Sequence, residues 1–298
     1  MTERPNPGAP RPWTFPAFER RSVAGGRMLT AHLPGKALAV TSLVLDAGAV
    51  LEPSAQAGVS EIVARALAEG SAGRDSYEFG VAGERIGATW RSSTDWDSLR
   101  VGFEVPAGDL AAATALLADA ARSAEFADDV LERVLDERID EISIERSQPA
   151  VLAGEALGSA LFQPESRYAR PDGGDPESIG SLQHTDIRAY RDARIRREAA
   201  TLVVVGDLDG IDLDGLGHTV FDGWDGAGSG TPAPTVASRG PGRRVVVVGS
   251  PQGRDLRRDR CRRSTARRSS QFPSSPRGPT MCVRALGAPT TRRPGETS

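Results

Sequence analysis

Three histidines, His32, His184 and His218, are the whole supply of imidazole in this sequence. No two lie near one another in the chain, so no local pair can share a metal. Each is read as an ordinary surface or core residue, with His32 in an expected strand. Glu61 and Arg65 stand four apart within an apolar series of helical spacing, Val59, Ile62, Val63, Ala66 and Leu67. That spacing suits an ion pair on a helix surface, worth ~0.3–0.5 kcal/mol. Glu132, Glu137, Asp140 and Glu141 read as a solvated helical face, since carboxylates with neither a metal nor a raised pKa do not make a hydrolytic centre. Val203–Gly206 followed by Asp207 and Gly210 has neither a Gly-x-Gly-x-x-Gly pattern nor a phosphate-loop lysine. Nucleotide binding is rejected on that ground.

The elements that must carry these residues follow from periodicity. Met28–Leu33 and Leu38–Leu45 are apolar runs parted by Pro34-Gly35, which predicts a two-stranded hairpin. The helix begun at Val59 is expected to end at a C-cap glycine, Gly70. Ile86–Arg91 and Ser98–Val105 read as a second strand pair, and Leu110–Ala120 as a helix that Asp109 could cap. The longest helix is expected over 127–146, with Val130, Leu131, Leu135 and Ile142 in its stripe and Pro149 ending or bending it. A further helix is expected around 151–162. After a loop marked by Gly173-Gly174 and Pro176, a helix over 186–194 leads into the buried strand Thr201–Val205. The order fits an α+β fold, a two-layer sandwich of a mainly antiparallel sheet with helices on one face.

In that setting the run Gly58-Val59-Ser60-Glu61-Ile62-Val63-Ala64-Arg65-Ala66-Leu67-Ala68-Glu69-Gly70-Ser71 resembles a helix of the insulinase/pitrilysin family of zinc metallopeptidases. Active members carry His-x-x-Glu-His there, two imidazoles on one helical face with a glutamate to activate water. In this sequence Glu61 stands at the first His position, Ala64 at the catalytic Glu position and Arg65 at the second His position. Glu84–Ala88, Leu131-Glu132-Arg133 with Glu141-Ile142, Thr185–Tyr190 and Leu202–Asp207 extend the resemblance over about 28–224. Aligned on Glu141-Ile142, the family's third ligand, a glutamate, falls at Val134.

The resemblance implies a non-catalytic homologue, the silent partner of a zinc-bearing peptidase subunit in handling unfolded peptides. No catalytic residue and no metal ligand is assigned, and no cofactor is expected, zinc belonging to the active members. Glu61 and Arg65 are the residues expected to contact peptide in a shared chamber. One alternative is a metallopeptidase with atypical zinc ligands, which would need Glu61 and further residues that the sequence does not identify. A second alternative is a basic-tailed nucleic-acid binder.

Charge is uneven. The net −3 combines a segment from Gly249 onward at +9 with −12 on everything before it. That segment holds only five large apolar residues, Leu256, Phe272, Met281, Val283 and Leu286, too few to offset the entropy of ordering it. Its single aromatic and lack of helical period weaken the nucleic-acid reading. Its Arg/Ser/Pro/Gly mixture is what GC-rich DNA yields out of frame, so the chain is expected to be truncated in its second unit. The expected divisions are a flexible lead-in over 1–27, the α+β domain over 28–222, a Gly/Pro/Ser linker over 223–242, the start of an incomplete unit over 243–248 and a disordered tail over 249–298. The two cysteines, Cys261 and Cys282, imply no disulfide framework. With no signal peptide or membrane-length apolar run, a cytoplasmic location away from membranes is expected.

Overall fold

The computed structural model describes residues 14–224. It opens with strand β1, Glu19–Val23, which turns through Ala24-Gly25 into β2, Gly26–His32. Then come β3 (Leu38–Leu45), helix α1 (Val59–Ala66), the short strands β4 (Gly70–Ser71) and β5 (Arg74–Asp75), and α2 (Ser76–Arg85). Strands β6 (Thr89–Thr94) and β7 (Leu99–Pro106) precede four helices, α3 (Leu110–Ser123), α4 (Asp128–Glu145), α5 (Pro149–Leu161) and α6 (Pro176–Ser181). Helix α7 (His184–Arg194), strand β8 (Ala200–Gly206) and α8 (Leu213–Phe221) complete the unit.

Six strands form one sheet in the order β1-β2-β8-β3-β7-β6, antiparallel throughout except for β2 against β8. The expected mainly antiparallel α+β sandwich is what forms. The core lies under one face, where Leu43, Leu45, Val101, Phe103, Leu202 and Val204 meet Ile62, Val63, Leu67 and Leu117 from α1 and α3. On the other face Leu38 and Val40 remain exposed. Among the described residues no helix is long and apolar enough to cross a membrane.

Several expectations are corrected. β2 and β3 do not pair as a hairpin, because β8 lies between them. The residues between His32 and Leu38 step across an occupied strand position, a span of about 10 Å that five residues cover easily. The Leu33 N–H donates to Gly206 O at 2.7 Å and the Gly35 N–H to Asp207 Oδ2 at 2.8 Å, so this loop is tied to the end of β8. The lead-in is shorter than 1–27, since β1 is hydrogen-bonded along β2. At the far end Trp224 packs on Phe221, inside the expected linker. The rest of that linker, the 243–248 unit and the tail lie outside the described residues.

Helix α1 stops at Ala66, and Gly70 instead sits at φ +128° in β4, where a Cβ would come within 2.8 Å of Arg74 O. Asp109 makes no capping bond; it ends a 3-10 turn, Ala107–Asp109, before α3. Helix α2 was not expected, although Asp75 and Glu78 form a capping box that the sequence spells out. Gly87, at φ +64°, follows α2 and delays β6 to Thr89.

Candidate functional site

The orientation of α1 is set by a buried carboxylate. Glu52 accepts from the Gly58 N–H (2.9 Å), the Ser60 N–H (3.0 Å) and the Ser60 hydroxyl (2.6 Å), all at the N-terminal end of the helix. Negative charge is favoured there because the first N–H groups of a helix have no internal partner. Arg167 completes the arrangement, with Nε and Nη2 donating to Glu52 Oε2 at 2.9 and 2.7 Å. The two side chains are 0% and 6% exposed, so this is a buried pair with its hydrogen-bonding capacity largely used. Arg167 also donates to the carbonyls of Arg170, Pro171 and Asp172, which fastens that loop beside α1.

Helix α4 packs against α1, and the polar contact between them is the site. Arg65 Nε donates to Glu61 at 2.7 Å, as its helical spacing predicts. The same guanidinium reaches across to α4, where Nη1 meets Glu141 Oε1 at 3.0 Å and Nη2 meets Oε2 at 2.7 Å. This fork is bidentate, the strong form of an arginine–carboxylate pair. Arg138, buried on α4, extends the chain of charges: it approaches Glu141 at 3.4 Å, binds Glu145 at 2.8 and 3.2 Å, and donates to Gly173 O at 3.3 Å. Ala64 is buried behind this network.

The third-ligand position is corrected by this geometry. Val134 is 1% exposed and belongs to the core, whereas Glu141 meets Arg65. The two positions are seven residues apart, two helical turns, so they share a face of α4 and a sequence register cannot separate them. Glu141 stays half-exposed on the acidic face expected of it while it also bonds Arg65.

The residues present do not fit zinc as the family holds it. Arg65 is permanently cationic, has no lone pair to give, and lies between the two carboxylates that could ligate. Ala64 supplies no base. Chemically the arrangement is an ion-pair clasp between two helices.

The Glu141 carboxyl is held below the usual range, foremost by the hydrogen bond from Arg65. Such a group stabilises the fold above its unfolded pKa, about 4.3, and loses that contribution as pH falls through the lower folded value. The acid limb of a plot of urea midpoint against pH is therefore expected to fall less steeply in Glu141→Gln than in the parent. Superimposable limbs would show that the Arg65–Glu141 bond does not persist in solution.

The histidines pair with aspartates. His184 Nδ1 lies 2.9 Å from Asp128 and His218 Nδ1 lies 3.0 Å from Asp222. His32 sits with Asp207 and Asp209 within metal-ligand reach, a grouping that sequence reading missed because β2 and β8 are distant in the chain. Its Nδ1 accepts the Leu208 N–H at 3.0 Å, which leaves the ring proton on Nε2, facing Asp209 at 3.6 Å. Neither nitrogen is then free to ligate. Asp207 accepts from the N–H groups of Gly35 and Asp209, which lower its pKa, and the cluster serves as a hydrogen-bonded corner.

A cavity of about 440 Å³ lies beside the clasp, between α4, α5 and the segment after α5. Ile142, Leu157, Leu161, Phe162 and Tyr168 line it, with Arg138 at the clasp side. The Tyr168 hydroxyl donates to Asp97 at 2.7 Å, and that bond, with burial, pushes its pKa up to about 12.

Residues 27–168, a span that contains α1 and α4, match the family profile described as Insulinase (peptidase family M16). Over that span the chain is similar to the insulinase family. Solved structures share the fold of this chain. A peptidase M16 inactive domain from Pseudomonas fluorescens has 20% identity and a TM-score of 0.69, covering 78% of this chain and 57% of its own. A protease from Helicobacter pylori has 17% identity and a TM-score of 0.71, with the same two shares. Pitrilysin has 17% identity and a TM-score of 0.61 over 69% of this chain and 22% of its own. The chain thus spans little more than half the length of the first two. No protein with a curated description matches it in sequence.

Proposed function

We propose that this insulinase-like chain is non-catalytic and acts as the silent partner of a zinc-bearing homologue in degrading or processing unfolded peptides. The observation that carries this reading is the Arg65 guanidinium seated between Glu61 and Glu141, with Ala64 where a general base would stand. Glu61 and Arg65 are only half-buried, which leaves them able to face a peptide. Strand β6 is an edge of the sheet beside α1, and an open edge can take an extended peptide through main-chain hydrogen bonds.

The test has two parts. Elemental analysis of the purified chain is expected to find no stoichiometric zinc. Mixed with a homologue bearing His-x-x-Glu-His, the chain is expected to co-elute and to raise cleavage of an unfolded peptide, with all activity removed by a chelator or by mutation of the homologue's motif. Chelator-sensitive activity from this chain alone would instead establish the atypical-ligand peptidase.

A further inference from the structure

We infer that the cavity beside α5 is a binding site for a small aliphatic carboxylic acid, held by its carboxylate at Arg170 with its chain along the apolar wall. The inference goes beyond the silent-partner reading and does not depend on it.

The cavity has the size of a small-molecule site, about 440 Å³ against the ~300–1,000 Å³ typical of such pockets. Its wall is aliphatic at Val151, Leu157 and Leu161 of α5. It is aromatic where Tyr168 contacts Trp96 (centroids 6.0 Å apart) and Phe162 (5.4 Å). Helix α5 has no fully buried residue of its own. An apolar helix normally buries a whole stripe, so the half-covered side chains of α5 leave apolar surface for a ligand to cover.

The charged groups in the wall decide the chemistry of the ligand's head. Glu145 is bound by Arg138 at 2.8 and 3.2 Å and Glu155 by Arg146 at 3.3 Å, so these charges are already matched. Arg170 is not. It bonds no carboxylate among the described residues, and its side chain donates only to Ser54 O, through Nη1 at 3.0 Å. Asp172, two positions on, accepts the Gly173 N–H at 3.1 Å and does not pair with Arg170. Arg170 Nε is buried with no acceptor, and so is the indole nitrogen of Trp96 in the same wall. Buried donors are seldom left unmatched. A guanidinium without a carboxylate, in the wall of an apolar space, fits a flat anion that can accept two parallel hydrogen bonds and carries an apolar chain. A free fatty acid and the C-terminus of an apolar peptide share that chemistry. The aliphatic wall favours the free acid, because the amide groups of a peptide would go unpaired against it.

The test titrates the full chain with decanoate by calorimetry, beside decanol and decanoic amide as uncharged controls. One decanoate per chain is expected, bound more tightly than either control. Arg170→Gln should weaken decanoate about ten- to a hundredfold, the range for losing a hydrogen bond to a charged group, and leave decanol unchanged. Leu161→Trp, which narrows the cavity and leaves Arg170 in place, should weaken acid and alcohol alike. A leucine-rich peptide is compared with a free and with an amidated C-terminus. Weaker binding than decanoate by both forms assigns the site to the free acid, and tighter binding by the free-terminus form overturns that assignment.

An acid that binds no better than the alcohol overturns the inference. So does decanoate binding that Arg170→Gln leaves intact, and so does binding that Leu161→Trp leaves untouched, which would place the ligand outside the cavity. Should Arg170→Gln fail to fold, the difference between acid and alcohol on the unsubstituted chain still decides.

Discussion

Glu52→Gln is expected to lower the stability of the fold by about 3–5 kcal/mol, the range for breaking a buried ion pair from one side. For a domain of this size that corresponds to a melting temperature lower by roughly 10 °C. The reason lies in what the carboxylate does at once. It answers the Gly58 and Ser60 N–H groups at the start of α1, accepts the Ser60 hydroxyl and balances the charge of Arg167. Glutamine keeps the shape and removes the charge, leaving a 6% exposed guanidinium unpaired. Thermal and urea unfolding measure the loss. Arg167→Met added to Glu52→Gln should recover part of it, because the orphaned cation is then gone. A loss under about 1 kcal/mol would mean that water reaches the pair and screens it, as at a surface.

A second substitution acts on the same junction through the backbone. Gly58, at φ +94°, begins α1, and a Cβ there would come within 2.5 Å of Ile179 Cδ1, 3.0 Å of Gly174 Cα and 3.1 Å of Gly173 O. The isoleucine end can turn aside, whereas the Gly173-Gly174 backbone cannot, since Arg138 and Arg167 hold that loop from either side. Left-handed backbone costs a non-glycine residue about 1–2 kcal/mol, and overpacking a filled interior costs about 1–3 more. Gly58→Ala is therefore expected to destabilise by about 2–5 kcal/mol. Gly73→Ala is the natural control, because Gly73 is at φ +75° with no atom within 4 Å of a Cβ. It should show the backbone cost alone, about 1–2 kcal/mol. Equal losses at the two positions would refute the idea that the Gly58–Gly174 approach positions α1.

The elements themselves were largely legible. Apolar spacing predicts α1, α3, α4 and α7 to within a few residues, and the β-branched run 201–205 predicts β8, whose alternate residues are buried. These signals are local: the period of a segment states which of its faces is apolar, whatever the rest of the chain does. Within α1 the Glu61–Arg65 bond is local in the same sense, because four residues bring the two side chains together on any helix. The insulinase-type order of elements was readable for that reason.

Pairings between segments carried no such signal. Nothing in Met28–Leu45 states that β8 will separate β2 from β3, because both arrangements bury the same faces. Glu52 and Arg167 are 115 positions apart, and each alone reads as an ordinary surface charge. His32 acquires Asp207 and Asp209 only once β2 and β8 run side by side. On α4, Val134 and Glu141 share a face, and packing against α1 decides which of them Arg65 meets. The sequence alone determined the residue types at the centre, a carboxylate, an alanine and an arginine where the family's active helix has its motif. Tertiary structure decided that Arg65 is gripped from both sides, because the second grip comes from a helix whose contact with α1 is set by the packing of the whole core.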